Sequence, residues 1–224
     1  MGRHFEQELN ELRSGLTAMA GKVEEMLDLS LRALQGRDVG LATQVLTLDE
    51  GVDLEELRLD QACIDLLALR SPIATDLRLI ASTLKIIPVL ERIGDHSCNI
   101  TYRVKLLAGQ PPVLHGDVME RLGTTARTMV RQAVDAFVNG EASLARTVIK
   151  ADDTADELYM HAYKELLRVM LSDPLCIERA SHLIMVAKNF ERIADQATNI
   201  AEEVLFILEG VNVKHPYLHE RPEP

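Results

Sequence analysis

The chain has 224 residues, a net charge of −11 at pH 7, four Phe, four Tyr and no Trp. The excess of acid speaks against nucleic acid, whose phosphates need Lys/Arg compensation, and against adsorption on an anionic lipid surface; it suits cations or a basic protein face. Few aromatic residues beside abundant Leu, Ala and Glu favour helices over a β-sandwich, and the length suffices for one large core or two small ones.

Phe5, Leu9, Leu12, Leu16, Met19, Val23 and Met26 recur at spacings of four and three, the seam of a long first helix in a bundle. Gly36 is a helix stop and Asp38 an N-cap for the second helix, which runs to about Leu69. Ser71-Pro72 reads as a start signal, a capping Ser followed by Pro at the first helical position. The third helix continues to about Ala108, where Gly109-Gln110-Pro111-Pro112 breaks it; Pro88 inside it predicts a kink. The fourth helix opens near Asp117 and closes at Asn139-Gly140, and the fifth reaches about Leu171. Asp173-Pro174 then starts the sixth as Ser71-Pro72 starts the third. After Gly210 the segment 211–224 has three prolines and no periodicity, which predicts a loose tail.

The punctuation of the second half copies that of the first because the chain is an internal repeat. Glu91-Arg-Ile-Gly-Asp-His-Ser-Cys-Asn-Ile100 aligns with Glu191-Arg-Ile-Ala-Asp-Gln-Ala-Thr-Asn-Ile200 at an offset of 100, with six of ten positions identical. Pro72 matches Pro174, Asp49 and Asp53 match Asp152 and Asp156, and Gly36 matches Gly140. The expected fold is all-α: two tandem three-helix bundles related by a pseudo-twofold, at 1–110 and 111–210.

Glu, Asp and Asn in the repeated motif stand at i, i+4 and i+8, which confines them to about 80° of helix surface. Glu91, Asp95 and Asn99 lie opposite Ile86, Leu90, Ile93, Ile100 and Val104, so the stripe should face away from the apolar core of its own bundle. Glu191, Asp195 and Asn199 lie likewise opposite Phe190, Ile193, Ala197, Ile200 and Val204. With a hairpin turn near residue 71, Glu91 is level with residue 51, flanked by Asp49 and Asp53. A turn near 172–173 sets Asp152 and Asp156 around the level of Glu191. Glu56 and Asp60 extend the stripe of the second helix, and Glu202 that of the sixth. Four carboxylates and an Asn in one groove repel one another and favour a bound cation. Oxygen donors suit a hard or borderline divalent or trivalent ion such as magnesium, manganese or iron. The competing view is a solvated acidic face neutralised by Arg92 and Arg192.

Other signals point to no chemistry. The chain lacks a zincin, P-loop or dinucleotide-binding motif and the Glu-x-x-His pairs of di-iron bundles, and no Ser, Cys or Lys sits in a nucleophile arrangement. His96, whose repeat partner is Gln196, reads as a surface histidine, and His161 and His182 as ordinary. Cys63, Cys98 and Cys176 are too few and too scattered for a disulfide framework or a zinc site, and fit a reducing compartment. The N-terminus turns acidic and amphipathic at once, unlike a signal peptide. No apolar run reaches the ~18 residues of a membrane span. A cytoplasmic protein without membrane insertion is expected.

The two E-R-I-x-D-x-x-x-N-I segments, with Asp76-Leu77-Arg78 and the Ile86 to Leu90 lead into the first, resemble the PhoU family over about residues 3–210. The second repeat has Ile177-Glu178-Arg179 where an Asp-Leu-Arg would stand, so no role carries over there. The resemblance implies a regulator rather than an enzyme. It would damp phosphate uptake and silence the phosphate-starvation response between the ATPase subunit of a phosphate ABC transporter and a sensor histidine kinase, with a homodimer as its state. It also implies metal ligands at Glu91, Asp95, Asn99, Glu191, Asp195 and Asn199, faced by Asp49, Asp53, Asp152 and Asp156. A metal-dependent hydrolase or metal store using the same carboxylates, a purely structural bundle, and a relative serving a single-component phosphate carrier stay open.

Overall fold

The computed structural model describes residues 2–113 and 116–213. These form α1 (Gly2–Gly36), α2 (Val39–Arg70), α3 (Ala74–Leu107), α4 (Val118–Asn139), α5 (Ala142–Ser172) and α6 (Ile177–Glu209), with no strand among them. The tail expected over 211–224 lies outside the described residues from 214 onward.

Local chemistry explains the helix boundaries. The α1 seam is buried from Leu9 to Met26, so apolar periodicity sets its inward face. Asp38 caps α2: its carboxylate accepts the backbone N–H groups of Gly40 and Leu41 at 2.7 and 3.1 Å. Ser71, expected to cap α3, instead closes α2 with φ 46°, and Ile73 precedes α3 without any side-chain cap. Pro72 disfavours the right-handed helical conformation at Ser71, which turns left-handed where Gly usually stands. The matching junction of the second half behaves as expected. Asp173 accepts from the Leu175 N–H at 3.1 Å, and Pro174 opens a 3-10 turn, Pro174–Cys176, that leads into α6. The α3 helix runs unbroken through Pro88.

Within each half the three helices pack on one another, and the halves meet where α3 lies along α6 and α4 crosses α1. One continuous apolar core results, from Leu9 on α1 to Ile207 on α6. Polar contacts cross the α3–α6 seam, among them the pairs Arg78 to the Ile207 carbonyl at 3.3 Å, Ser82 to Glu203 at 2.9 Å, His96 to Asn189 at 3.0 Å and Arg103 to His182 at 3.3 Å. The residue numbers in each pair have the same sum, so the helices run antiparallel in constant register. Applying the repeat offset of 100 turns the pair Ser82–Glu203 into His182–Arg103. A pseudo-twofold axis therefore passes between α3 and α6 near Ile93 and Ile193, beside both acidic motifs.

Close approach of α4 depends on Gly123. A Cβ there would stand 2.6 Å from Leu31 Cδ1 and 3.0 Å from the ring of the fully buried Phe190. Overpacking of this kind costs about 1–3 kcal/mol, against about 1 kcal/mol gained from Ala over Gly in a helix. Gly123→Ala is thus expected to lower the urea midpoint; an unchanged or higher midpoint would mean that α4 sits less tightly on α1 and α6.

Candidate metal centre

In the first half α2 and α3 bring their acids together along one groove. A Cβ on Gly94 would lie 3.5 Å from Asp49 Oδ1, and the Cys98 thiol is directed at the same carboxylate and favours its charge. Glu91 lies beside Asp95, with Glu56 and Asp53 across from it. The α2–α3 register differs from the expected one by about half a turn, because α2 ends at Arg70 and α3 begins only at Ala74, which centres the hairpin on Pro72 rather than Ser71. Asp53 and Glu56 rather than Asp49 face Glu91, while Asp49 faces Asp95 and Cys98. Asp53, Asp95 and Asn99 are exposed and free to turn, whereas Asp49 and Glu91 are half-buried.

Burial and mutual repulsion resist charging of this cluster. Glu91 is pushed up to about 7, first by burial and then by Asp95 and Glu56. Burial likewise raises Asp49, with Asp53 and Asp95 adding to it, and raises Glu56, with Asp60 and Asp53 adding. The Cys98 thiol is pushed up by burial and by Asp49. Both causes act against the charged form.

The second half repeats the groove between α5 and α6. Asp195 is pushed up to about 6 by burial and then by Glu191 and Asp152, with Arg192 opposing. Asp152 is raised by burial and by Asp156, and the nearby Thr198 hydroxyl favours its charged form. That hydroxyl nevertheless closes no hydrogen bond: Thr198 Oγ1 is buried without a hydrogen-bond partner, and so is Glu191 Oε2. Glu191 is only 8% exposed, so the stripe lines a covered groove rather than an open face. It lies under Lys188, at 2.6 Å, and Arg192, at 3.8 Å. Arg192 also reaches Asp195 at 3.4 Å, whereas Arg92 is exposed beside the first cluster and acts on Glu56 only through its field. Asp156 is exposed and Asn199 half-buried.

Orphaned buried oxygens on Glu191 and Thr198 are what a hard cation would take up, and every candidate donor except Cys98 is oxygen. No group of three His, Cys, Asp or Glu side chains among the described residues is arranged to hold an ion as it stands. Holding an ion here would require the exposed Asp53, Asp95 or Asp156 to swing inward.

His96 is more than the surface histidine expected from sequence. Half-buried, it faces Asn189 of α6 at 3.0 Å and stands between Asp95 of one cluster and Glu191 and Arg192 of the other. Burial lowers its pKa, with the Asn189 contact and Asp95 opposing. Cys98, given no site role from sequence, is likewise part of the first groove, beside Asp49.

Fold and grooves together define an all-α protein of duplicated three-helix units with one carboxylate cluster on each flank of a pseudo-twofold. No helix among the described residues is long and apolar enough to cross a membrane. The family model described as the PhoU domain matches twice, at residues 16–104 and 119–204. The chain is 40% identical over 216 residues to the phosphate-specific transport system accessory protein PhoU homolog of Pseudomonas putida, covering 96% of this chain and 84% of that one. Identity is also 40%, over 217 residues, to the homolog of the same description in Aquifex aeolicus, covering 97% and 98%. The crystal structure of PhoU from Pseudomonas aeruginosa superposes with a TM-score of 0.90 at 38% identity, covering 92% of this chain and 100% of that one. The chain belongs to the PhoU family.

Proposed function

We propose that this chain is a metal-binding, non-catalytic adaptor that restrains phosphate uptake and keeps the phosphate-starvation response silent when phosphate is plentiful. The observation that carries this reading is the near-full-length likeness to accessory proteins of phosphate-specific transport, spanning both repeats. Its partners in this reading are the ATPase subunit of a phosphate ABC transporter and a sensor histidine kinase, met in the cytoplasm by a homodimer. Repeats 1–110 and 111–210 supply the two grooves. Magnesium, manganese or iron would be held by Glu91, Asp95 and Asn99 with Asp49 and Asp53, and by Glu191, Asp195 and Asn199 with Asp152 and Asp156. The ion would supply charge neutralisation that ties α2 to α3 and α5 to α6.

Deletion of the gene, in a strain without another copy, is expected to switch on phosphate-starvation genes in high phosphate. A reporter that stays silent after deletion would reject the regulatory reading. Turnover of a phosphate ester by the metal-loaded protein, lost in Asp95→Ala, would favour the hydrolase instead.

A further inference from the structure

The two motifs share six of ten residues, yet their surroundings differ. Three residues before Glu191, and so on the same helix face, stands Lys188; the equivalent residue before Glu91 is Pro88. Lys188 Nζ lies 2.6 Å from Glu191 Oε1 and 5.0 Å from the centre of the Tyr159 ring on α5. Its side chain is 35% exposed. Charge thus holds the ammonium on one side and a ring face on the other. Proline at 88 carries no charge and cannot reproduce this. The other lysine close to the first half's acids, Lys22, is engaged elsewhere, on Glu55 at 3.6 Å and the Gly51 carbonyl at 3.1 Å.

We propose that the second motif carries its own counter-ion, Lys188, so that the resident metal belongs to the first motif, and the second admits metal only when Lys188 is displaced. The inference rests on the metal-binding reading above and makes the two grooves unequal. An ion approaching Glu191 Oε1 meets an ammonium already seated there and must expel it or accept repulsion at a few ångströms. No such competitor stands in the first groove. Glu191 Oε2, which has only the Arg192 guanidinium at 3.8 Å, and Thr198 Oγ1 close no hydrogen bond and are the acceptors an ion would use once Lys188 has swung out. The clusters are thereby poised differently although their motifs look alike: one is open to a cation, the other closed by an internal one.

The test titrates Mn2+ into chelator-stripped full-length protein and counts bound ions from the loss of the free-ion paramagnetic resonance signal. Wild type should fill one set of sites, and Asp95→Ala should abolish that tight binding altogether. K188M, or K188Q if the first fails to fold, should add a second set of comparable size. Placing the ammonium in the other groove with P88K should weaken the first set by about tenfold or more, the factor that roughly 1.4 kcal/mol of competition produces. If wild type fills both motifs, so that Asp95→Ala loses only half of the bound ions, or if K188M and K188Q leave the count unchanged, Lys188 is not a counter-ion and the inference fails. Absence of Mn2+ binding in every protein would sink the metal-binding reading itself, and the inference with it.

Discussion

Chelator-treated protein should melt at a markedly higher temperature once manganese or magnesium is added. An ion that binds only the folded chain, supplied at about a hundred times its dissociation constant, contributes about 2.7 kcal/mol by mass action. At roughly 2–4 °C per kcal/mol for a chain of this size, the expected rise is about 5–10 °C. The Asp95→Ala, Asp195→Ala double variant separates this from general salt effects. Without metal it should melt at or above the wild-type temperature, because each groove loses one repelling carboxylate; only the exposed contact from Arg192 to Asp195 is given up, and such pairs contribute little. With metal it should gain far less, because each groove lacks a ligand. A solvated acidic face neutralised by arginine forecasts the reverse: no response to metal in either protein and a small loss on mutation. Equal stabilisation of both proteins by metal would place the ions elsewhere.

Acidification should affect metal-free and metal-loaded protein with opposite signs. In the folded, metal-free chain Glu91 titrates at about 7 and Asp195 at about 6, above their ordinary values of 4.5 and 3.8. Between the ordinary and the raised values the folded state holds protons that the unfolded state has lost. Stability therefore falls as pH rises through this window and levels off above about pH 7. Lowering pH from 8 to about 5.5 should raise the melting temperature of the metal-free protein. His96 works against this, because its lowered pKa leaves the unfolded state as the better proton acceptor just below pH 6.5. His96, together with Glu8 and Glu55, which Arg70 and Arg58 hold below the usual carboxylate range, opposes the raised Glu91, Asp195, Asp49, Asp152 and Glu56; the groove carboxylates should prevail, and His96→Gln should steepen the gain. Metal-loaded protein should instead lose stability over the same range, since protons compete with the ion for its ligands. Thermal melts in a pH series with and without chelator decide the matter; slopes of the same sign in both would show that these carboxylates do not hold the ion.

Much of this architecture is legible in the sequence because it depends on short-range periodicity. The α1 seam, the Asp38 cap, the Asp173-Pro174 start and the paired Glu-x3-Asp-x3-Asn stripes each follow from spacings within one helix or its ends. What sequence missed lies where another element decides. Ser71 looks like a cap in isolation, but Pro72 and the tip of the hairpin turn it left-handed. His96 looks exposed when α3 is considered with its own half alone; α6 of the other half covers it. The level of Glu91 on α2 was displaced because Ser71, Pro72 and Ile73 all lie outside the helices, which centres the hairpin on Pro72 rather than Ser71. The repeat alignment drew attention to identical positions, whereas the chemical difference between the grooves resides at non-identical ones: Pro88 against Lys188 and Cys98 against Thr198.

The α3–α6 seam has a further meaning. In a dimer of two identical three-helix chains, positions 82 and 182 would be the same residue, as would 103 and 203, and any change would be felt twice. Joining the copies in one chain lifts that symmetry. Glu203 is a buried carboxylate holding Ser82 and Lys85 at one end, while Arg103 stands beside His182 at the other. The molecule consequently has a head and a tail despite its twofold frame.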